Sequence, residues 1–147
     1  MKKTFFILLF SILLLTSCTH TLYNTPKIFP LANFESLTIT FGEDQVEITN
    51  STTLTQVYDK FKNYEAVKVF ESIEQNYENN GEEIAYILSK TPKANYGFYI
   101  IKVTEIGQSD KYLFRKTLKN TSTNITETLY KVIDLEDVEY FKELLDN

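Results

Sequence analysis

Four segments in the second half of the chain are dense in aromatic and β-branched residues, and they constrain the fold more than any other feature. Such residues favour β-strands, while the Gly, Pro, Ser, Asp and Asn clusters between them favour turns. The predicted strands are 84–88, 96–103, 111–117 and 126–133. Because their connections are short, the sequence predicts a four-stranded antiparallel meander.

A further hairpin is predicted where the folded domain begins, near Phe34. Apolar and polar residues alternate along 36–41 and again along 45–48, on either side of a turn at 42–44. Alternation of this kind is typical of strands with one buried face. The hairpin should therefore join the same antiparallel sheet.

Helical spacing of apolar residues appears in three places. The first, Leu54 to Phe61, follows the capping side chain of Asn50. The last follows Asp134, which can cap a helix. Its predicted buried stripe consists of Leu135, Val138, Phe141 and Leu145.

The middle segment, residues 66–79, has two interpretations. Its apolar residues fall at helical spacing, but Val67 to Phe70 also reads as a short strand. We favour a helix, which Asn80-Gly81 would end as a C-terminal cap. In the strand alternative, the same dipeptide would form a hairpin turn.

The expected fold class is α+β. An antiparallel sheet, made of the N-terminal hairpin and the four-stranded meander, should carry one or two helices after the hairpin and a C-terminal helix. Helices on one face would leave the other face rich in tyrosine, with Tyr99, Tyr112 and Tyr130 as a candidate binding face. The favoured interpretation, however, is that these tyrosines only pack the second face with their hydroxyls in water.

The N-terminus is typical of a bacterial lipoprotein signal. Lys2 and Lys3 precede an apolar run from Phe5 to Leu15, which ends at the cleavage box Leu15-Thr16-Ser17-Cys18. The run is shorter than the roughly 20 residues that span a bilayer. Cys18 is the only cysteine, so it has no disulfide partner within the chain. Cleavage between Ser17 and Cys18, with lipidation of Cys18, would place the protein on the extracytoplasmic face of the cell membrane.

Three regions follow from these observations. Residues 1–18 form the signal peptide, 19–33 a flexible tether interrupted by prolines, and 34–147 a single globular domain. The sole histidine, His20, lies in the tether two residues from the proposed anchor. A catalytic histidine needs a pocket around it, so we interpret His20 as a solvated residue.

Charge argues against a nucleic-acid partner. Without residues 1–18, the chain has 13 basic and 20 acidic residues, a net charge of −7. Proteins that neutralise phosphates need a basic face. The same sign disfavours adsorption on anionic lipid, so the lipid on Cys18 should provide the membrane attachment.

No motif for catalysis, cofactor binding or metal binding appears in the predicted domain. The sequence has no glycine-rich phosphate loop and no Cys-His or Ser-His pair there. Residues 78–83 are rich in oxygen ligands but lack the spacing of a calcium loop, so a solvated turn is favoured. Arg115, the only arginine, lies in mid-strand, where a cross-strand acid is the expected partner and an interface anchor the alternative.

Taken together, the cleavage box, the tether and the Tyr- and Phe-rich meander resemble the small uncharacterised lipoproteins of Firmicutes. The meander residues that carry this resemblance are 96–103, 111–114 and 129–133. The resemblance to bacterial lipoproteins implies a diacylglyceryl thioether on Cys18. If residues 52–79 form two helices, the order of elements also resembles one repeat of the secreted β-lactamase inhibitor proteins, in topology alone.

The leading functional hypothesis is a non-catalytic binding or inhibitory module at the cell surface, for example an immunity or exclusion factor with an extracellular or envelope protein as its partner. One alternative is a cryptic envelope enzyme or calcium-dependent factor that uses an acid such as Glu82 or Glu83. Another is that the signal peptide supplies a peptide pheromone, because residues 9–16 resemble the hydrophobic peptides that enterococci release from lipoprotein signals.

Overall fold

The computed structural model describes residues 27–29, 34–92, 94–120 and 124–146. It confirms the predicted α+β class: a six-stranded antiparallel sheet carries three helices. In chain order, the elements are β1 (Ser36–Phe41), β2 (Asp44–Ile48), α1 (Ser51–Phe61), α2 (Glu71–Asn80), β3 (Gly81–Lys90), β4 (Asn95–Val103), β5 (Lys111–Asn120), β6 (Ile125–Ile133) and α3 (Leu135–Glu143). The strands lie in the order β2-β1-β3-β4-β5-β6.

The N-terminal hairpin forms as predicted. Strands β1 and β2 pair in register from Leu37 opposite Ile48 to Phe41 opposite Asp44. The two loop residues are Gly42, with φ of 56°, and Glu43. A positive φ at the first loop residue characterises the type II′ turn, whose twist matches that of the flanking strands and which favours glycine there.

Helix α1 also begins where the sequence predicts. The side chain of Asn50 accepts hydrogen bonds from the backbone N–H groups of Thr52 and Thr53, at 2.9 and 3.2 Å. The buried stripe consists of Leu54, Val57 and Phe61. The helix therefore packs on the sheet along the predicted face.

The second helix exists but starts later than the spacing of residues 66–77 predicts. Helix α2 begins at Glu71, while the preceding segment is extended and pairs Val67 with Tyr130 of β6. The helix has no buried residue. Tertiary pairing with a free strand edge thus decides the conformation of 65–70, which local periodicity left ambiguous.

Asn80-Gly81 ends helix α2 as predicted, with Gly81 as the C-cap residue, but Gly81 does not adopt the left-handed conformation of a glycine cap and the dipeptide forms no hairpin turn. Gly81 follows the last helical residue with φ of −95°, an extended conformation, and at once begins β3. A Cβ at this position would clash with the Tyr77 carbonyl oxygen and with Ile101. Glycine is needed because the helix end approaches β4 closely, and not for a left-handed cap.

Strands β3 to β6 form the predicted meander. One irregularity lies between Glu83 and Ala85 of β3, where the register against β4 shifts. Such a bulge changes which face the following side chains occupy. Downstream of it, Tyr86 pairs with Tyr99 and Ile87 with Phe98.

Helix α3 starts after Asp134, as predicted, but its buried stripe is shorter than expected. Val138 and Phe141 are fully buried, whereas Leu135 is 52% exposed and Leu145 partly buried. The expectation for Leu135 was wrong, because the inward side of the first turn is occupied by Asp137 and Val138, and Leu135 lies about 200° around the helix from Asp137. The backbone N–H of Asp134 donates to the Asp137 carboxylate at 3.4 Å.

Residues 27–29 belong to the folded domain, although the sequence analysis assigned 19–33 to a tether and began the domain at residue 34. Ile28 and Phe29 are fully buried, and the Ile28 N–H donates to the Tyr64 carbonyl at 2.9 Å. Two isolated apolar residues show no periodicity, so their burial by distant elements leaves no local signal. The domain therefore begins at least seven residues earlier than predicted.

A buried lysine holds this N-terminal segment. The Lys116 ammonium donates to the carbonyls of Lys27 and Ile28, at 2.9 and 3.1 Å, and lies 5.5 Å from the ring centre of Tyr96. Burial lowers the pKa of Lys116 to about 8. The rest of the predicted tether, His20, and the proposed cleavage and lipidation residues Ser17 and Cys18 lie outside the described residues.

The main core lies between the sheet and helices α1 and α3. Its centre is Phe61, whose ring packs 5.0 to 6.1 Å from five other aromatic rings: Phe29, Tyr64, Phe114, Tyr140 and Phe141. We call this side of the sheet the first face. Within the described ranges, no helix has the length and hydrophobicity needed to cross a membrane.

Candidate functional site

The three tyrosines predicted to form one binding face do not share a face. Tyr112 pairs with Lys102 and Ile133, on the first face, where it is half-buried against the main core. Tyr99 and Tyr130 lie on the opposite side, which we call the second face, because each pairs with Arg115 of β5. Successive side chains of a strand point to opposite faces, and positions 112 and 115 of β5 differ by an odd number. Tyr112 and Arg115 must therefore lie on opposite faces.

Tyr130 is buried and does not contribute to an accessible surface. Its relative exposure is 2%, and the ring of Tyr77 from α2 covers it with ring centres 5.2 Å apart. Ile101, Val103 and Leu113 are buried beside it. This part of the second face, under α2, is the covered half.

The other part of the second face is formed by β2, β1, β3 and the first part of β4. We call it the open half, because none of the helices in the described ranges packs on it. Its central residues are Tyr86 and Tyr99, which are half-buried and in tilted ring contact, with ring centres 4.8 Å apart and ring planes at 43°. A Cβ on Gly97 would clash with the Tyr86 hydroxyl. The ring of Tyr86 therefore lies across Gly97, the position of β4 that has no side chain, and this fixes the direction of the ring.

Arg115 extends this aromatic pair. Its guanidinium lies 4.8 Å from the ring centre of Tyr99, within the range of a cation–π contact. It also forms an ion pair with Glu83, on β3, whose side chain is 50% exposed. The predicted acidic partner is thus present, although it lies two strands away and reaches Arg115 across β4.

Two polar atoms at the border between the halves lack hydrogen bonds within the described structure. They are Nε of Arg115 and the hydroxyl of Tyr130, which belong to residues paired directly across β5 and β6. Burial raises the pKa of Tyr130, and the carboxylate of Glu74 acts in the same direction. Tyr130 therefore stays protonated at neutral pH.

A second polar cluster joins α1 to α3 on the first face. The Tyr64 hydroxyl donates to the buried Asp137 carboxylate at 3.1 Å, and the Lys60 ammonium lies 3.3 Å from the same carboxylate. Burial and the bond to Asp137 raise the pKa of Tyr64 to about 12. Since every charged group here has a partner, we interpret the cluster as structural.

The oxygen-rich segment 78–83 does not form a loop. Its first half ends helix α2 and its second half begins β3, where Glu83 is paired with Arg115. In the part of the chain that the structure describes, no group of three or more His, Cys, Asp or Glu side chains could hold a metal ion.

Sequence reasoning missed Tyr86 and Gly97. Tyr86 was visible as an aromatic residue in a predicted strand, but its place opposite Tyr99 depends on the register shift at Glu83 and Ala85. Gly97 carries no signal of its own. The candidate site is therefore Tyr86, Tyr99 and Arg115, supported by Gly97 and Glu83.

No protein-family model matches this chain, and comparison with the curated proteins and with the solved structures likewise finds no match. The candidate site thus has to be argued from its own geometry.

Proposed function

We propose that this protein is a cell-surface lipoprotein, anchored through Cys18 to the extracytoplasmic face of the membrane, which acts as a non-catalytic binding or inhibitory module. The observation that carries the proposal is the open half of the second face. It presents two tyrosine rings in contact and the only arginine of the chain on a sheet, which is a rigid support.

This surface suits protein recognition for physical reasons. Tyrosine offers a large contact area with few rotatable bonds, and Tyr and Arg are enriched where interfaces gain most of their binding energy. The Arg115 side chain is 22% exposed, so a partner can contact it without breaking the core. Glu83 and Lys90 at the rim provide charges of both signs.

Affinity capture tests the binding role. Residues 19–147, which retain every described contact, would be immobilised and exposed to envelope and culture-supernatant proteins, with bound proteins identified by mass spectrometry. We expect an enriched partner that is lost with Tyr99→Ser and kept with Tyr112→Ser, a matched control on the other face. Circular dichroism and thermal unfolding would verify that both variants fold.

The outcomes are distinct. Loss with Tyr99→Ser alone would place the partner on the open half. Equal loss with both variants, or a partner unaffected by either, would contradict the assignment of this surface. Repeated failure to capture any protein would remove the support for a binding module.

A separate experiment tests the anchor. The full chain, expressed in a Gram-positive host with an alkyne-labelled fatty acid, should acquire label and partition into the detergent phase. Cys18→Ala should abolish the label because the chain has no other thiol. Label retained by this variant would contradict lipidation at Cys18.

A further inference from the structure

The two edges of the sheet differ in what covers them. On β6, the Val67 N–H donates to the Tyr130 carbonyl at 2.9 Å and the Tyr130 N–H to the Val67 carbonyl at 2.8 Å. On β2, at the opposite edge, no segment within the described ranges pairs with the outer side. An uncovered edge presents backbone donors and acceptors that another strand can use.

Hairpin geometry identifies which groups these are. With a two-residue loop, the flanking residues Phe41 and Asp44 form a hydrogen-bonded pair, and bonded pairs recur at every second position. Val46 and Ile48 therefore direct their backbone groups towards β1. The N–H and C=O groups of Gln45 and Glu47 point outward and remain available.

A groove runs beside this edge. It has a volume of about 560 Å³ and a mixed lining: apolar Val46, Ile48 and Leu144, and polar Glu47, Thr49, Asn50, Thr53 and Gln56. Val46 and Ile48 are only partly buried. Side chains from an added strand that point towards the first face would lie beside Val46 and Ile48, where apolar side chains would bury the exposed parts of these two residues.

The charge of the edge selects the partner. Glu43, Asp44 and Glu47 all lie in or next to β2, and all three are exposed. A hydrogen bond from Ser36 and the charge of Lys90 lower the pKa of Glu47. The Lys90 ammonium lies 3.4 Å from the Glu47 carboxylate, so this one acid is already paired and the edge keeps an excess of negative charge through Glu43 and Asp44. A second copy of this chain would bring three more acids to the same edge, which like-charge repulsion disfavours. A basic strand would instead be attracted.

We propose that the outer edge of β2 accepts an extended, basic peptide segment of a partner protein as a seventh strand. Its backbone pairs with Gln45 and Glu47, apolar side chains alternate over Val46 and Ile48, and basic side chains lie beside Glu47. The inference rests on the proposed function, that of a binding module, but it uses a surface distinct from Tyr99.

Peptide selection tests it. A random seven-residue peptide library would be selected against the full chain in mild detergent, and enriched peptides measured by fluorescence polarisation. We expect alternating apolar and basic residues. Gln45→Pro should weaken binding at least about tenfold because it removes an outward N–H and obstructs the new strand, whereas Gln45→Ala, which keeps that N–H, should bind within about twofold.

A peptide-side control covers the case in which Gln45→Pro fails to fold. Two N-methylated versions of the best peptide would be compared, one methylated at its odd positions and one at its even positions. Only every second N–H faces β2, so one version should lose binding and the other should keep it. Tyr99→Ser should leave peptide affinity unchanged, so this inference and the proposed open-half site can fail separately.

Three results would overturn the proposal. They are no enrichment over an unrelated control protein, equal binding to Gln45→Pro and Gln45→Ala when both are folded, or indifference to the position of N-methylation. In each case the acids of β2 would be understood as protection of a sheet edge against unwanted pairing.

Discussion

Both faces of the sheet carry aromatic and aliphatic residues, with more of them on the first face, and the two faces are covered very differently. The first face is sealed by α1, α3 and residues 28 and 29, and Phe61 contacts five rings there. The second face is covered at one end by α2, which has no buried residue of its own. Apolar strand residues create the capacity for burial, but the elements that pack on them decide which face becomes core and which remains accessible.

The largest difference between the faces should appear in stability. Phe61→Ala removes the ring at the centre of the main core and should lower the free energy of unfolding by about 3–5 kcal/mol. Tyr77→Ala uncovers Tyr130 on the second face and should cost about 1–2 kcal/mol, since Tyr77 is itself partly exposed. Urea unfolding of both variants measures the comparison. Equal losses of unfolding free energy in the two variants would mean that α2 contributes as much to the stability of the fold as α1.

The titration of Lys116 should make the stability of the fold depend on pH, which tests the burial of this residue on the first face. Because its folded-state pKa of about 8 lies below the ordinary 10.5, the unfolded chain binds more protons between these values, and stability should rise with pH. From pH 7 to 9.5 the gain should be about 2 kcal/mol. Above pH 10 the trend should reverse, since Tyr64, with a pKa of about 12, keeps its proton longer when folded.

The matched variant for this test is Lys116→Met, which keeps much of the apolar stem and removes the titrating group. Its unfolding free energy should be nearly flat from pH 7 to 9.5. A rise as steep as that of the unmodified chain would show that another group causes the dependence.

The smallest effect on stability should come from Gly97→Ala, which should nevertheless weaken binding. The added methyl group displaces the end of the Tyr86 ring, which is a flexible side chain, so we expect a loss of no more than about 1 kcal/mol. The contact between Tyr86 and Tyr99 in the open half would be disrupted, and the captured partner should bind more weakly. Retained affinity, with a Tyr86 ring displaced in NMR spectra, would exclude this tyrosine contact from the interface.

Local signals were sufficient for most of the individual elements. The alternation in 36–48, the cap at Asn50 and the cap at Asp134 all predicted structures that form, because each depends on residues within a few positions of one another. The predicted start of α2 was wrong by about five residues. The segment before the helix is held extended by the pairing of Val67 with Tyr130, which joins positions 63 residues apart and so leaves no local signal. The burial of Ile28 and Phe29 was missed for the same reason.

The candidate site illustrates the same limit. The composition of the strands was enough to predict aromatic residues on both faces. Which tyrosines share a face depends on how neighbouring strands are aligned, and the sequence of a single strand does not determine that alignment. The predicted grouping of Tyr99, Tyr112 and Tyr130 therefore failed. The pairing of β3, β4 and β5 placed Tyr86 and Arg115 beside Tyr99, put Tyr112 on the opposite face and left Tyr130 under α2.

The sequence by itself determined the α+β class, the antiparallel hairpin and meander, and the acidic charge, since these follow from periodicity, turn chemistry and composition. It also carries the signal from which anchoring at Cys18 is proposed. Only the tertiary structure decided which half of the second face stays open, which sheet edge is covered and where the domain begins. These outcomes depend on contacts between residues far apart in the chain. Such contacts form, and stabilise the fold, only once the strands are paired in register.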